Sequence, residues 1–142
     1  MSAGSPLAAC QHESMQPDTL AELIAAHAAD RKAIDVVELD LRSVLAYTDY
    51  FVICSGNTER QTKAIHDSIL LGLKRSYGLL PQRVEGLARG RWILMDYLDV
   101  VVHIFTPDTR DFYRLEQLWG EAPARARELA PAVEVAALDD RA

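Results

Sequence analysis

Cysteine is scarce in this sequence, and that scarcity removes two classes of protein at once. Cys10 sits in a polar leader and Cys54 in an apolar run, so there is no disulfide framework and no pair at metal-ligand spacing. Basic charge is in deficit: 15 Lys and Arg face 21 Asp and Glu, a net charge of −6. A domain that gripped nucleic acid through its phosphates would carry the opposite balance, so direct DNA binding is not expected. Long apolar runs are missing as well. No window approaches the ~18 apolar residues of a membrane span. The leader MSAGSPLAACQHESMQP has neither the basic start nor the apolar centre of a signal peptide. The expected setting is the cytoplasm, with no membrane partner.

What is present is an ordinary globular composition, 49% hydrophobic and 25% charged over 142 residues. A chain of that length buries about two-thirds of its unfolded surface in one core. Residues 1–17 show no periodicity and read as a disordered leader. Residues 18–120 read as one domain, and residues 121–142, with eight alanines and two prolines, as an acidic Ala/Pro-rich tail. Neither residues 1–17 nor residues 125–142 carry a periodic apolar face, so both stretches are expected to be dispensable for binding a partner.

Periodicity divides the domain. Leu20, Leu23, Ile24, His27 and Ala28 make a helical stripe that Asp18 or Thr19 can cap. In AIDVVELDL, Val37, Leu39 and Leu41 alternate with Glu38 and Asp40, the pattern of a half-buried strand. DYFVICSGN is apolar on both faces, which belongs near the middle of a sheet. Thr58 and Gln61 have capping-box spacing, Ile65, Ile69 and Leu73 form the stripe that follows, and Gly78 is the expected stop. This strand-to-helix passage implies a crossover, so the next strand, near Gln82–Glu85, should run parallel to the previous one. RWILMD and DVVVHIF form two more strands around a reversal at Tyr97-Leu98. Asp108 or Thr109 then caps a helix whose Phe112, Leu115, Leu118 and Trp119 should pack onto the sheet. The order α-β-β-α-β-β-β-α is that of a mixed α/β (α+β) domain, a five-stranded mixed sheet packed with helices.

Chemistry is hard to find in this frame. Glu38 and Asp40 point from one strand face, as a magnesium site would need, with Asp49 and a Ser55-Gly56 turn nearby. That would suit a nucleotidyltransferase-like metal enzyme, except that the pair precedes the turn and the turn has one glycine. The plainer expectation is the solvated face of an edge strand. His103 lies between Val102 and Ile104 and reads as a core histidine. No phosphate loop, dinucleotide fingerprint, nucleophile elbow or metalloprotease motif occurs. Arg83, Arg89 and Arg91 offer a modest basic strip for an RNA-binding reading. Around the reversal, Trp92, Leu94, Asp96, Tyr97, Leu98 and Asp99 gather aromatic, apolar and acidic groups suited to a basic protein partner. The pattern alone equally allows Trp92 and Leu94 to be core, with Asp96 and Asp99 serving the turn.

Four motifs carry a resemblance. DYFVICSGNTERQ, P-x-x-V-E-G, RWILMDYLDVVVHIF and RDFYRLEQLW occur in order over about residues 19–120. Together they resemble the ribosomal silencing factors, or Iojap family. The resemblance implies a nucleotidyltransferase-like fold without its active site, no catalysis and no cofactor. It implies docking on the large ribosomal subunit through ribosomal protein L-fourteen, which blocks joining of the small subunit and represses translation under nutrient limitation. It also implies a homodimer in isolation. The family's W-x-L-x-D-x-x-D matches Trp92, Leu94, Asp96 and Asp99, so these residues, with Tyr97 and Leu98 at the tip, are the expected partner-binding set. Many relatives have glycine where this chain has Leu98, so a different turn is expected at the tip.

Overall fold

A computed structural model describes residues 15–43 and 48–115 and the backbone of 124–126. The elements are α1 (Pro17–Asp30), β1 (Ile34–Asp40), β2 (Tyr50–Ser55), α2 (Glu59–Tyr77), β3 (Arg83–Glu85), β4 (Trp92–Asp96), β5 (Val100–Phe105), α3 (Pro107–Tyr113) and β6 (Ala124–Ala126). The mixed sheet of five strands is present, and the short β6, inside the segment read as tail, extends it to the order β3-β4-β5-β2-β1-β6. β2 and β5 run parallel at its centre, and every other pairing is antiparallel.

The central pair explains itself. All six residues of β2 and all six of β5 are buried, as strands apolar on both faces must be when layers cover each side. β3 runs in the direction of β2, as the crossover requires, but β4 and β5 lie between them.

One face of the sheet packs under α1 and α2. Ile24, Ile65, Ile69, Leu73, Ile93, Met95 and Ile104 are fully buried there. The two helices approach closely because Gly72 has no side chain where the His27 ring lies. Thr58 caps α2 as its spacing predicted, its hydroxyl accepting from the Gln61 N–H at 3.1 Å. The Gln61 amide donates onward to the Arg31 and Lys32 carbonyls, tying the start of α2 to the end of α1. Gly78 ends α2 at φ 64°, and the Leu79 N–H reaches back to Leu73 O, a glycine-terminated stop. The other face collects Leu39, Leu41, Phe51, Ile53, Val101, Phe105 and Leu115, with Trp92 and Leu94 half-buried beside them.

Four expectations need correction. α1 is capped at Gln16 with Pro17 at its first position, so Asp18 and Thr19 lie inside the helix. Glu38 is no solvated edge residue: it is 2% exposed, because β1 lies between β2 and β6 and α1 covers its polar face. α3 is capped at Thr106 and stops at Tyr113, where Arg114 turns left-handed at φ 48°. That break changes the register of the stripe, so Leu115 is buried while Phe112 is 78% exposed and does not pack the helix onto the sheet. Leu118 and Trp119 lie outside the described residues.

The fourth concerns the β4–β5 reversal. Leu98 adopts φ 74°, and the Asp99 N–H donates to Tyr97 O at 2.9 Å, the positive-φ γ-turn that glycine tolerates and leucine does not. A changed turn does not replace the glycine; the leucine bears the strain. Leu98→Gly should therefore raise stability by about 0.5–1 kcal/mol, the left-handed penalty less the entropy of an added glycine. A higher urea midpoint at unchanged slope is the expected reading.

Candidate protein-docking face

β4 and the reversal after it position the site. Alternation sends Ile93 and Met95 into the core beneath the helices and leaves Trp92, Leu94 and Asp96 in a half-exposed row on the opposite face. At ~3.4 Å per residue the row is about 14 Å long. Leu98, 55% exposed, and Asp99 extend it at one end.

At the other end the row meets α3. The Trp92 ring packs against Phe105 at 4.9 Å and against Tyr113 at 4.8 Å, and Phe112 stands edge-on to Tyr113 at 4.9 Å. Phe112 and Tyr113 are thus part of the surface, a role that a continuous helical stripe concealed. The Trp92 indole N–H donates to Nδ1 of His103 at 3.1 Å.

Asp96 serves the fold as well as the face. Its Oδ1 accepts from the Leu98 N–H at 2.8 Å, which holds the strained turn, and its Oδ2 lies 3.6 Å from an Arg83 guanidinium nitrogen on β3. The Asp99 carbonyl accepts from the N–H groups of Asp49 and Tyr50, anchoring the tip to the start of β2, while its side chain is exposed. Tyr97 departs from the expected set. It is 4% exposed and turned into the core beneath α1 and α2, and burial raises its phenol above the ordinary range. Of the six expected residues, the structure thus brings Trp92, Leu94, Asp96, Leu98 and Asp99 to one stripe and removes Tyr97.

The competing constellations do not assemble. Asp40 is held by Arg42 through two side-chain hydrogen bonds of 2.9 and 2.6 Å, and Glu38 is buried. The Ser55 hydroxyl accepts from Arg110 at 2.9 Å. An open cleft of about 500 Å³ lies beyond the carboxyl ends of β2 and β5, lined by Thr58, Glu59, Arg60, Arg91 and Asp108 among others. Neither Glu38, Asp40 nor Asp49 lines it, and its Glu59 pairs with Arg91 at 3.2 Å. Among the described residues, no group of three His, Cys, Asp or Glu side chains gathers as a metal site. The basic strip is largely neutralised. Arg83 faces Glu85 and Asp96, Arg91 faces Glu59, and of the three only Arg89 has no acidic partner among the described residues. No helix among those residues is long and apolar enough to cross a membrane.

Comparison with known proteins finds relatives along most of the chain. Residues 13–141 match the family described as ribosomal silencing factor during starvation. Ribosomal silencing factor RsfS of Bacillus subtilis is 38% identical over 109 residues, covering 77% of this chain and 92% of the relative. A mouse protein named for mitochondrial assembly of the ribosomal large subunit is 33% identical over 91 residues, 61% of this chain and 39% of its own length. A crystal structure of a Chromobacterium violaceum protein superposes with a TM-score of 0.72 at 34% identity, covering 75% of this chain and 88% of that one.

Proposed function

The chain belongs to the ribosomal silencing factor family, and from that premise we propose that it docks on the large ribosomal subunit through ribosomal protein L-fourteen and blocks joining of the small subunit. The observation that carries the reading is the stripe from Phe112 and Tyr113 through Trp92, Leu94 and Asp96 to Leu98 and Asp99. It joins aromatic anchors, an exposed strained leucine and carboxylates on one face, the composition of an interface core and its polar rim. Ribosomal proteins are commonly basic, so the carboxylates and the net charge of −6 favour encounter.

The action is steric. A domain docked at the subunit interface occupies volume that the small subunit needs, and the repression of translation under nutrient limitation follows with no reaction and no cofactor. The homodimer is a property of the free protein in this reading. The setting is the cytoplasm.

The test mixes purified large and small subunits with the protein and reads joined ribosomes on a sucrose gradient. Free subunits should accumulate, and ribosomal protein L-fourteen alone should bind the immobilised protein. Normal joining on large subunits saturated with the protein overturns the steric mechanism. The exposed Asp99 gives a second expected outcome. Asp99→Arg should slow association several-fold at low salt, and the difference should shrink as screening shortens the reach of the charge. Equal association rates at low salt would remove the carboxylate from the interface.

A further inference from the structure

Trp92 enters the stripe with its indole nitrogen turned inward, and what it turns towards is unusual for a sheet core. β5 reads Val100, Val101, Val102, His103, Ile104, Phe105, and a leucine at position 103 would fill the strand at no polar cost. His103 is 4% exposed, with Phe51 edge-on at 4.5 Å and Phe105 stacked at 6.2 Å. Its Nδ1 accepts from Trp92, so a neutral ring carries its proton on Nε2. That Nε2 is buried with no hydrogen-bond partner among the described residues. A buried donor without an acceptor costs stability. Among the described residues, the one hydrogen bond of this buried ring is the acceptor it supplies to Trp92.

Resting on the docking reading above, we infer that His103 is a positioning residue for Trp92: by accepting the indole N–H from below, it fixes the ring in the one orientation that presents its other edge in the docking stripe. A half-turn of the indole about its attachment would move the N–H away from Nδ1 and break the bond. Rotamer freedom is thereby lost before binding, not during it, which is how preorganisation raises affinity. Burial also pushes the His103 imidazole down to about 3, so the acceptor stays unprotonated across the physiological range.

The experiment begins on the unmodified full-length protein. Nitrogen NMR of the imidazoles should find His103 with an unprotonated Nδ1 and a protonated Nε2, unchanged from pH 5 to 8. A proton on Nδ1 overturns the inference without any variant. The Trp92 indole resonance, assigned by its loss in Trp92→Phe, should move upfield and exchange faster in His103→Leu. It should be restored in His103→Asn, whose Oδ1 hangs on Cγ as Nδ1 does; an unmoved resonance also overturns the inference. Binding to large subunits completes a double-mutant cycle. His103→Leu should weaken binding at least fivefold in the parent and leave it unchanged in the Trp92→Phe background. Equal losses in both backgrounds would show that His103 acts through packing alone, overturning the inference. The docking reading fails separately, and the positioning role with it, if Trp92→Ala itself binds as the parent does while NMR finds the hydrogen bond intact in the parent.

Discussion

Phe105→Ala is expected to destabilise the fold by about 3–5 kcal/mol, the range for a fully buried phenylalanine truncated to a cavity. Phe105 is 0% exposed and touches the Trp92 and His103 rings on the face opposite α1 and α2. It also ends β5, pairing with Ser55 on one side and Trp92 on the other, so the cavity would open at the junction of three strands. The Phe51, Trp92 and His103 rings on that face stand on fixed strands, which limits how far they can collapse into a void. For a chain of this size the melting temperature should fall by roughly 10 °C or more. Phe112→Ala is the matched contrast: the same atoms leave an exposed position, and stability should change by no more than about 0.5 kcal/mol. Equal losses from the two would return Phe112 to the core.

That contrast marks what the sequence could disclose. β2 and β5 were legible because a strand that is apolar on both faces along most of its length needs two covering layers, whatever supplies them. α2 was legible because its cap, stripe and stop are local, encoded in Thr58, Gln61, Ile65, Ile69, Leu73 and Gly78. Helical spacing places Phe112 in the core only if the helix is unbroken, and nothing in R-D-F-Y-R-L announces the left-handed Arg114. For Glu38, alternation says which residues share a face but not which face is covered. The burial of that face depends on how α1 folds back over the strand that follows it and on β6, which is distant in sequence. Pro17, by contrast, was a helix-start signal that Asp18 and Thr19 overshadowed.

The candidate site divides the same way. Shared direction along β4 follows from period two, so the Trp92–Leu94–Asp96 row was visible. Tyr97 adjoins the turn and so reads as a surface anchor, yet it continues the inward series of Ile93 and Met95. Period two contained that answer. Tyr113, Arg83 and His103 join the site through tertiary contacts to Trp92 and Asp96, and no local pattern could have gathered them.

Trp92→Ala should weaken binding to the large subunit about thirtyfold or more, the consequence of losing a hot spot of about 2 kcal/mol. Three features concentrate energy on this side chain. Its ring is the largest apolar surface in the stripe, and it is already immobilised by Phe105, Tyr113 and the bond to His103. Little conformational freedom is left for a partner to remove. It also stands midway between the aromatic end at Phe112 and the acidic end at Asp96, where the rim can exclude water from both sides. The loss should appear in the dissociation rate, because truncating a central anchor leaves the charges that steer encounter in place. Trp92 is half-buried, so its removal also costs stability, about half that of a fully buried tryptophan. Ile69→Ala separates the two effects: it lies fully buried on α2 beneath the other face of the sheet and should cost about 2–5 kcal/mol. If stability alone governed docking, Ile69→Ala would lose binding at least as severely. The expected result, measured below both melting transitions, is parental affinity for Ile69→Ala and a thirtyfold loss for Trp92→Ala. A folded Trp92→Ala protein that holds the large subunit within twofold of the parent would move the docking face off β4 altogether.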